Sequence, residues 1–274
     1  MNYWTEKSIE IANEGAYLDR LYNIYPMGNN ECRNIAPDVI DTINRAIEVQ
    51  DDTTLINYLL RQELFPIKDS YVAYLKRDSD AILRNPKIVN RITNKIYKIG
   101  AEEVIRRIRE PKETNRQMGP LFNNWLKRGE LGLNLVESEE ALLKSKTDCI
   151  FIGSDQAKKE FAHRYLGYNR EKGLDFLARI NDIYIMGEAK FLTDFGGHQN
   201  AQFDDALSTM RTKLERSKYK VLLISILDGV LYIKSKNKMF TRLEDDLRDD
   251  EIVLSAVLLS DFIEDVKVNV GAYL

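Results

Sequence analysis

The chain holds 274 residues, 44% of them hydrophobic and 30% charged, with a formal net charge of −3. That composition suits a globular protein of one large or two modest domains. It excludes a uniformly basic coat for nucleic acid, so any such surface must be a local patch or cleft. Cys32, Cys149, His163 and His198 are too few and too scattered for a disulfide framework or a Cys/His zinc site, and a reducing cytoplasm is the expected location. The opening residues Met1 to Lys7 lack the basic and apolar segments of a secretory signal. No run approaches the roughly 18 apolar residues of a transmembrane helix, so no membrane association is expected.

In chain order, Thr5 to Tyr25 reads as a helix with Ile9, Ala12, Ala16 and Leu21 on one face and Thr5 as its cap. Pro26 to Asn30 breaks it. Further helices are expected from Pro37 or Asp38 through Ile47, from Thr53 or Thr54 to Leu64, from Ser70 to Leu75 and from Asp78 to Leu83. Lys87 to Ile99 follows, closed by Gly100, then Ala101 to Arg109, closed by Pro111. Residues 1–145 are thus expected to form a helical region, with residues 146–274 as the core.

The polar stretch Lys112-Glu113-Thr114-Asn115-Arg116-Gln117 lies between two helices. Asn, Arg and Gln can make paired hydrogen bonds with base edges, and a solvated loop with a helix cap explains the same residues. Pro120 to Lys127 reads as a packed helix, and Cys149 to Ile152 as a short strand. Ser154 caps a helix to about Tyr165 that carries Lys158, Lys159, Glu160 and Arg164, side chains able to meet phosphate or simply to solvate the surface. Beyond Gly196-Gly197, His198, Gln199, Asn200 and Gln202 are either DNA contacts or polar caps of a helix entry. That helix carries Phe203, Ala206, Leu207 and Met210 inward. Val221 to Leu227 is a nearly continuous apolar strand. Asp228-Gly229 then predicts a hairpin into Val230 to Ile233, and a further strand is possible near Phe240. The acidic runs Glu244 to Asp246 and Asp249 to Glu251 read as a solvated face.

The stretch Leu174 to Phe191 carries the chemistry. It reads as two strands joined at Asn181-Asp182, both tolerant of positive φ. With that turn, Ile180 faces Ile183 and Arg179 faces Tyr184, and counting outward sets Asp175 opposite Glu188. Side chains alternate along a strand, so Glu188 and Lys190 share a face. Two carboxylates so close favour a shared proton or a cation between them, and a hard ion such as Mg²⁺ suits an all-oxygen site. A metal, a water and an ammonium around one point are the parts needed to hydrolyse a phosphodiester.

Leu174-Asp175 followed by Glu188-Ala189-Lys190 resembles the PD-(D/E)xK signature of a nuclease superfamily. The run Gly187 to Asn200 resembles type II restriction endonucleases in particular, and Glu110 to Gln117 looks like part of the same kind of enzyme. The family's proline is Leu174 here, a departure that removes no metal ligand. The resemblance implies an α/β fold, a restriction-endonuclease-like core with a central mixed sheet flanked by helices, beside the helical N-terminal region, which it makes a candidate for DNA grip or dimerisation. It implies Mg²⁺-dependent, sequence-specific cleavage of double-stranded DNA that leaves 5′-phosphate ends. Asp175, Glu188 and Lys190 would be catalytic, and Asp175, Glu188 and the Ala189 carbonyl would hold the metal. Glu160 is either a further ligand or part of a solvated helix face. Lys112, Thr114, Asn115, Arg116, Gln117, His198, Gln199, Asn200 and Gln202 would contact DNA. A homodimer and a cognate DNA methyltransferase are the implied partners. The alternatives are a repair or junction nuclease on the same core and a non-catalytic DNA-binding protein.

Overall fold

A computed structural model of the chain describes residues 1–27, 32–111 and 117–273. Its contacts divide the chain into two compact units, Met1–Met27 with Thr114–Leu274, and Gly28–Glu113. This division differs from a boundary at 145/146. Trp4, Ile9, Leu21, Phe122 and Trp125, all before residue 145, lie in the same apolar cluster as the sheet residues Ile183, Ile185 and Ile224.

The N-terminal segment forms α1 (Tyr3–Ala12) and α2 (Tyr17–Ile24) rather than one helix. The Asn2 side chain caps α1, and Thr5 is buried with its hydroxyl donating to the Val253 carbonyl at 2.8 Å. Ala16 adopts a φ of 67° between the two helices, which ends the first apolar face and starts the second.

The Gly28–Glu113 unit is helical: α3 (Pro37–Glu48), α4 (Asp52–Leu60), α5 (Ser70–Arg77), α6 (Ala81–Arg84), α7 (Pro86–Ile99) and α8 (Ala101–Ile108). Pro37 and Pro86 stand at first helical positions, where the missing N–H costs nothing. Asp51 accepts from the Thr54 amide at 3.0 Å, so α4 begins before the expected threonines, and it stops at Leu60 rather than Leu64. Ile43, Leu55, Leu59, Ile92, Ile96 and Val104 meet in this unit's own core.

The larger unit is built on a six-stranded mixed sheet. It runs α9 (Met118–Lys127), β1 (Asn134–Val136), α10 (Glu139–Lys144), β2 (Cys149–Phe151), α11 (Asp155–Tyr165), β3 (Phe176–Ile180) and β4 (Ile183–Leu192). Then come α12 (Gly197–Met210), β5 (Lys220–Gly229), α13 (Lys238–Asp245), β6 (Ile252–Leu254) and α14 (Leu259–Val268). The strands lie in chain order across the sheet. β2–β3 and β3–β4 are antiparallel; β1–β2, β4–β5 and β5–β6 are parallel. This is an α/β fold compatible with a restriction-endonuclease-like core. Among the described residues, no helix is long and apolar enough to cross a membrane.

The β3–β4 hairpin has the expected register, with Ile180 opposite Ile183 and Phe176 opposite Gly187. Asn181 supplies the left-handed turn residue at φ 50°. Alternation sends Ala178, Ile180, Ile183 and Ile185 into one cluster, and Leu177, Tyr184 and Met186 into another with Phe161 and Ala162 of α11 and Leu166 just after it. Glu188 and Lys190 continue the second series. Gly187 is required because a Cβ there would meet the Ile224 carbonyl oxygen at 2.1 Å on the paired strand.

The hairpin expected at Asp228-Gly229 does not form. Gly229 does turn the chain, with a φ of 100°, but into a single 3-10 turn over Val230–Tyr232 that buries Leu231 and Tyr232. Asp228 is itself buried, accepting from Ser255 Oγ at 2.5 Å, Tyr25 Oη at 2.8 Å and the Ala256 amide at 3.1 Å. Around Phe240 the chain is α13, capped by Asn237, rather than a strand. Glu251 is not part of a solvated face: it is buried and paired with Arg211 at 2.7 Å.

Burial pushes the Asp228 carboxyl up to about 6, with the hydroxyl and amide donors opposing it. The folded chain therefore binds this proton more tightly than the unfolded chain. The Asp228 contribution to stability is lost as pH rises from about 4 through 6, by up to about 3 kcal/mol. Asp228→Asn should flatten that stretch of the stability curve. Urea melts of both proteins at pH 4.5, 5.5 and 7 check this, and parallel curves would refute it.

Candidate active site

Asp175 is the residue just before β3. Its amide donates at 3.1 Å to the carbonyl of Gly187, the residue already paired with Phe176, so the regular ladder ends in a bulge there and the expected Asp175–Glu188 strand pair does not form. The Ala189 amide then donates to Asp175 Oδ2 at 2.9 Å. In a strand a residue's N–H and C=O point to the same side, so the Ala189 carbonyl faces the same edge, beyond the end of β3. Lys190 Nζ lies 3.0 Å from Asp175 Oδ2 and 3.5 Å from Glu188 Oε2. The structure thus brings Asp175, Glu188, Lys190 and the Ala189 backbone together.

Glu188 is 1% exposed. A carboxylate so deep needs compensation. Its Oε1 accepts from Thr209 Oγ1 at 2.6 Å and meets Lys172 Nζ at 2.6 Å. Lys172 also bonds Asp205 of α12, which Arg170 approaches at 3.5 Å. Glu188 Oε2 is buried and makes no hydrogen bond; its charge partner is Lys190. Burial, and after it the Glu188 charge, pushes the Tyr168 hydroxyl up to about 12.

Burial lowers the Lys190 ammonium, but the charges of Asp175 and Glu188 outweigh it, so its pKa is raised and Lys190 is firmly protonated. For Lys172, burial outweighs the Glu188 hydrogen bond and the pKa is lowered.

A lysine of α11 supports Asp175 from behind. Lys158 is 1% exposed and donates to the Asp175 carbonyl at 2.8 Å and to Asn123 Oδ1 of α9 at 3.2 Å. It is neither a phosphate contact nor a surface solubiliser. The sign of this in the sequence is its place in an apolar stripe, with Phe161, Ala162 and Tyr165 at the next helical positions. Of its neighbours on the helix, Lys159 is half-buried and pairs with Glu171 at 2.9 Å, and Arg164 is exposed and pairs with Glu139 at 2.6 Å. Glu160 is exposed and accepts from Gln156 at 2.8 Å; two residues beyond Lys158, it points away from the side that Lys158 buries.

Of the sequence's DNA-contact candidates, Lys112, Thr114, Asn115 and Arg116 lie outside the described residues. Gln117 directly precedes α9 and is half-buried. Gln199 is buried and accepts from the Thr193 amide at 3.3 Å, and Asn200 donates to the Phe195 carbonyl at 2.7 Å, so both brace the turn before α12. His198 is exposed and bonded to Gln202 at 3.1 Å. Lys172, Thr209 and Asp205 carried no local signal, since their meeting depends on how α12 and the loop before β3 pack.

The donor set fits a hard divalent cation. Glu188 Oε2 is an orphaned buried oxygen, and Asp175 Oδ1 has no hydrogen bond among the described residues. The Ala189 carbonyl adds a third oxygen, few enough to suit an ion such as Mg²⁺ that keeps several waters. Among the described residues there is no cluster of three or more His, Cys, Asp or Glu side chains, so a metal here would rest on this carboxylate pair.

Lys190 holds two carboxylates in check. Lys190→Met should therefore cost about 1–3 kcal/mol in chelator, and adding Asp175→Asn should recover part of that by removing the repulsion. Melting curves of the single and double variants test this; a Lys190→Met protein as stable as the wild type would contradict it.

A family model described as Tsp45I type II restriction enzyme matches residues 2–266. No curated protein and no solved structure matches the chain.

Proposed function

From the premise that the chain belongs to the Tsp45I type II restriction enzyme family, and is therefore a site-specific deoxyribonuclease, we propose that it hydrolyses double-stranded DNA with Mg²⁺ at the Asp175–Glu188–Lys190 site. The observation that carries this reading is the convergence of two carboxylates on the Lys190 ammonium at the head of one hairpin, one of them buried with an oxygen that has no hydrogen bond among the described residues. Asp175, Glu188 and the Ala189 carbonyl would hold the ion. Bound there, Mg²⁺ supplies electrostatic stabilisation of charge on the reacting phosphate and on the leaving oxygen.

The remaining work falls to the chain. Lys190, protonated and fixed between the carboxylates, can donate to the attacking water or to a phosphate oxygen and hold either in line. Lys158 and the Ala189 amide keep Asp175 in place from its backbone and its carboxylate. The water oxygen bonds to phosphorus and releases its proton to solvent as the bond to the 3′ oxygen breaks, and that oxygen takes up a proton from solvent, leaving 5′-phosphate and 3′-hydroxyl ends. The family's role in restriction makes a DNA methyltransferase that protects the same site the natural companion.

The test is digestion of a long DNA of known sequence, followed by sequencing of the ends. Cuts at one short recurring sequence with 5′-phosphates are expected with Mg²⁺, and none in excess chelator. Asp175→Ala, Glu188→Ala and Lys190→Ala should each lower the rate by at least roughly 10²-fold. Full cleavage in chelator, or wild-type rates from all three variants, would refute the site.

One hairpin provides one reaction centre per chain, and a double-strand cut requires two attacks, so a homodimer is expected in solution or on DNA. Sedimentation with cognate duplex checks this; a species holding one chain per duplex would count against it.

A further inference from the structure

We propose that Lys172 is an internal counter-ion that occupies Glu188 when no metal is bound and passes to Asp205 when a divalent cation arrives. This rests on the metal-site reading above. Three observations carry it. First, the Lys172 ammonium bridges Glu188 Oε1 and Asp205 Oδ2, so it already touches both the site it would leave and the one it would keep. Second, the two acceptors differ in setting: the Glu188 side chain is 1% exposed, whereas that of Asp205 is 44% exposed. Glu188 therefore depends on a nearby cation far more than Asp205 does. Third, the Glu188 oxygen left for a metal is Oε2, on the same carboxylate as the oxygen Lys172 holds.

A divalent ion on Oε2 would stand a few ångströms from the Lys172 ammonium in a poorly solvated site. Like charges so placed repel strongly. Lys172 loses nothing essential by yielding, because Asp205 retains it and a rotation of its flexible stem suffices. Thr209 continues to hold Glu188 Oε1 and keeps the carboxylate oriented during the exchange. Lys172 is thus a positioning residue. It spares the metal-free fold an uncompensated buried charge, and it sets the concentration at which metal can compete.

The exchange makes predictions of opposite sign for its two ends. Without the ammonium, as in Lys172→Met, Lys190 is the cation that remains against the carboxylate pair, and Mn²⁺ measured by calorimetry on the full chain without DNA should bind about tenfold tighter. The metal-induced rise in melting temperature should grow with it. Asp205→Asn removes the retreat, so Mn²⁺ should bind several-fold more weakly. Lys172→Arg, which keeps the charge, should stay close to wild type. A merely structural lysine would weaken binding in both variants alike.

Equal or weaker Mn²⁺ binding by a folded Lys172→Met protein overturns the proposal, and so does tighter or unchanged binding by Asp205→Asn. Should Lys172→Met not fold, Asp205→Asn decides alone. Glu188→Ala separates the two levels of inference. If wild-type binding does not depend on Glu188, the metal site and this proposal both fall; if it does, and Lys172→Met is unchanged, only the counter-ion role falls.

Discussion

Repulsion between the carboxylates of Asp175 and Glu188 is the constraint around which the site is built. Two acids brought against one ammonium repel each other, and burying one of them raises the cost. The surroundings answer it group by group. Lys190 reaches both acids, Lys172 and Thr209 take one oxygen of Glu188, and the Ala189 amide takes one oxygen of Asp175. Each compensating group acts on a single side of its carboxylate. What remains is a pair of oxygens with no hydrogen bond, so the fold neutralises most of the repulsion while leaving the acids able to take an ion. The close approach of β4 to β5 at Gly187 serves the same end, since it fixes the strand that bears Glu188 and Lys190.

The heart of this arrangement was legible in the sequence because it is local. Asn181-Asp182 defines a turn, and counting from it sets the register as far as Phe176–Gly187; the bulge at Asp175, which brings it to Lys190 and the Ala189 amide, is not visible by counting. The compensating groups come from elsewhere in the chain. Lys172 lies in a loop and Thr209 more than a turn along a helix, and no periodicity says they converge on Glu188. Lys158 was visible as a residue but misjudged as surface, because charge was weighed above its place in the apolar stripe of α11. Asp228-Gly229 failed in the opposite way: its turn chemistry was real, but Ser255, Ala256 and Tyr25 claim the aspartate, and the chain enters the core instead of returning. β1 and β6, each of three residues, are too short to show an alternation. The expected boundary at 145/146 followed composition, whereas the contacts follow apolar faces: α1, α2 and α9 share their core with the sheet.

Three cations, Lys172, Lys190 and Arg170, match the three carboxylates of Asp175, Glu188 and Asp205 at the site. A pocket of acids alone would repel a phosphodiester until a cation arrived, and binding would then be compulsorily ordered, ion before DNA. The balanced pocket imposes no such sequence. Under the proposed function, a duplex would settle on the protein without metal, its scissile phosphate meeting a surface that is locally near neutral. Reading a site and cutting it are thereby separable events, and the ion's arrival can be the later of the two.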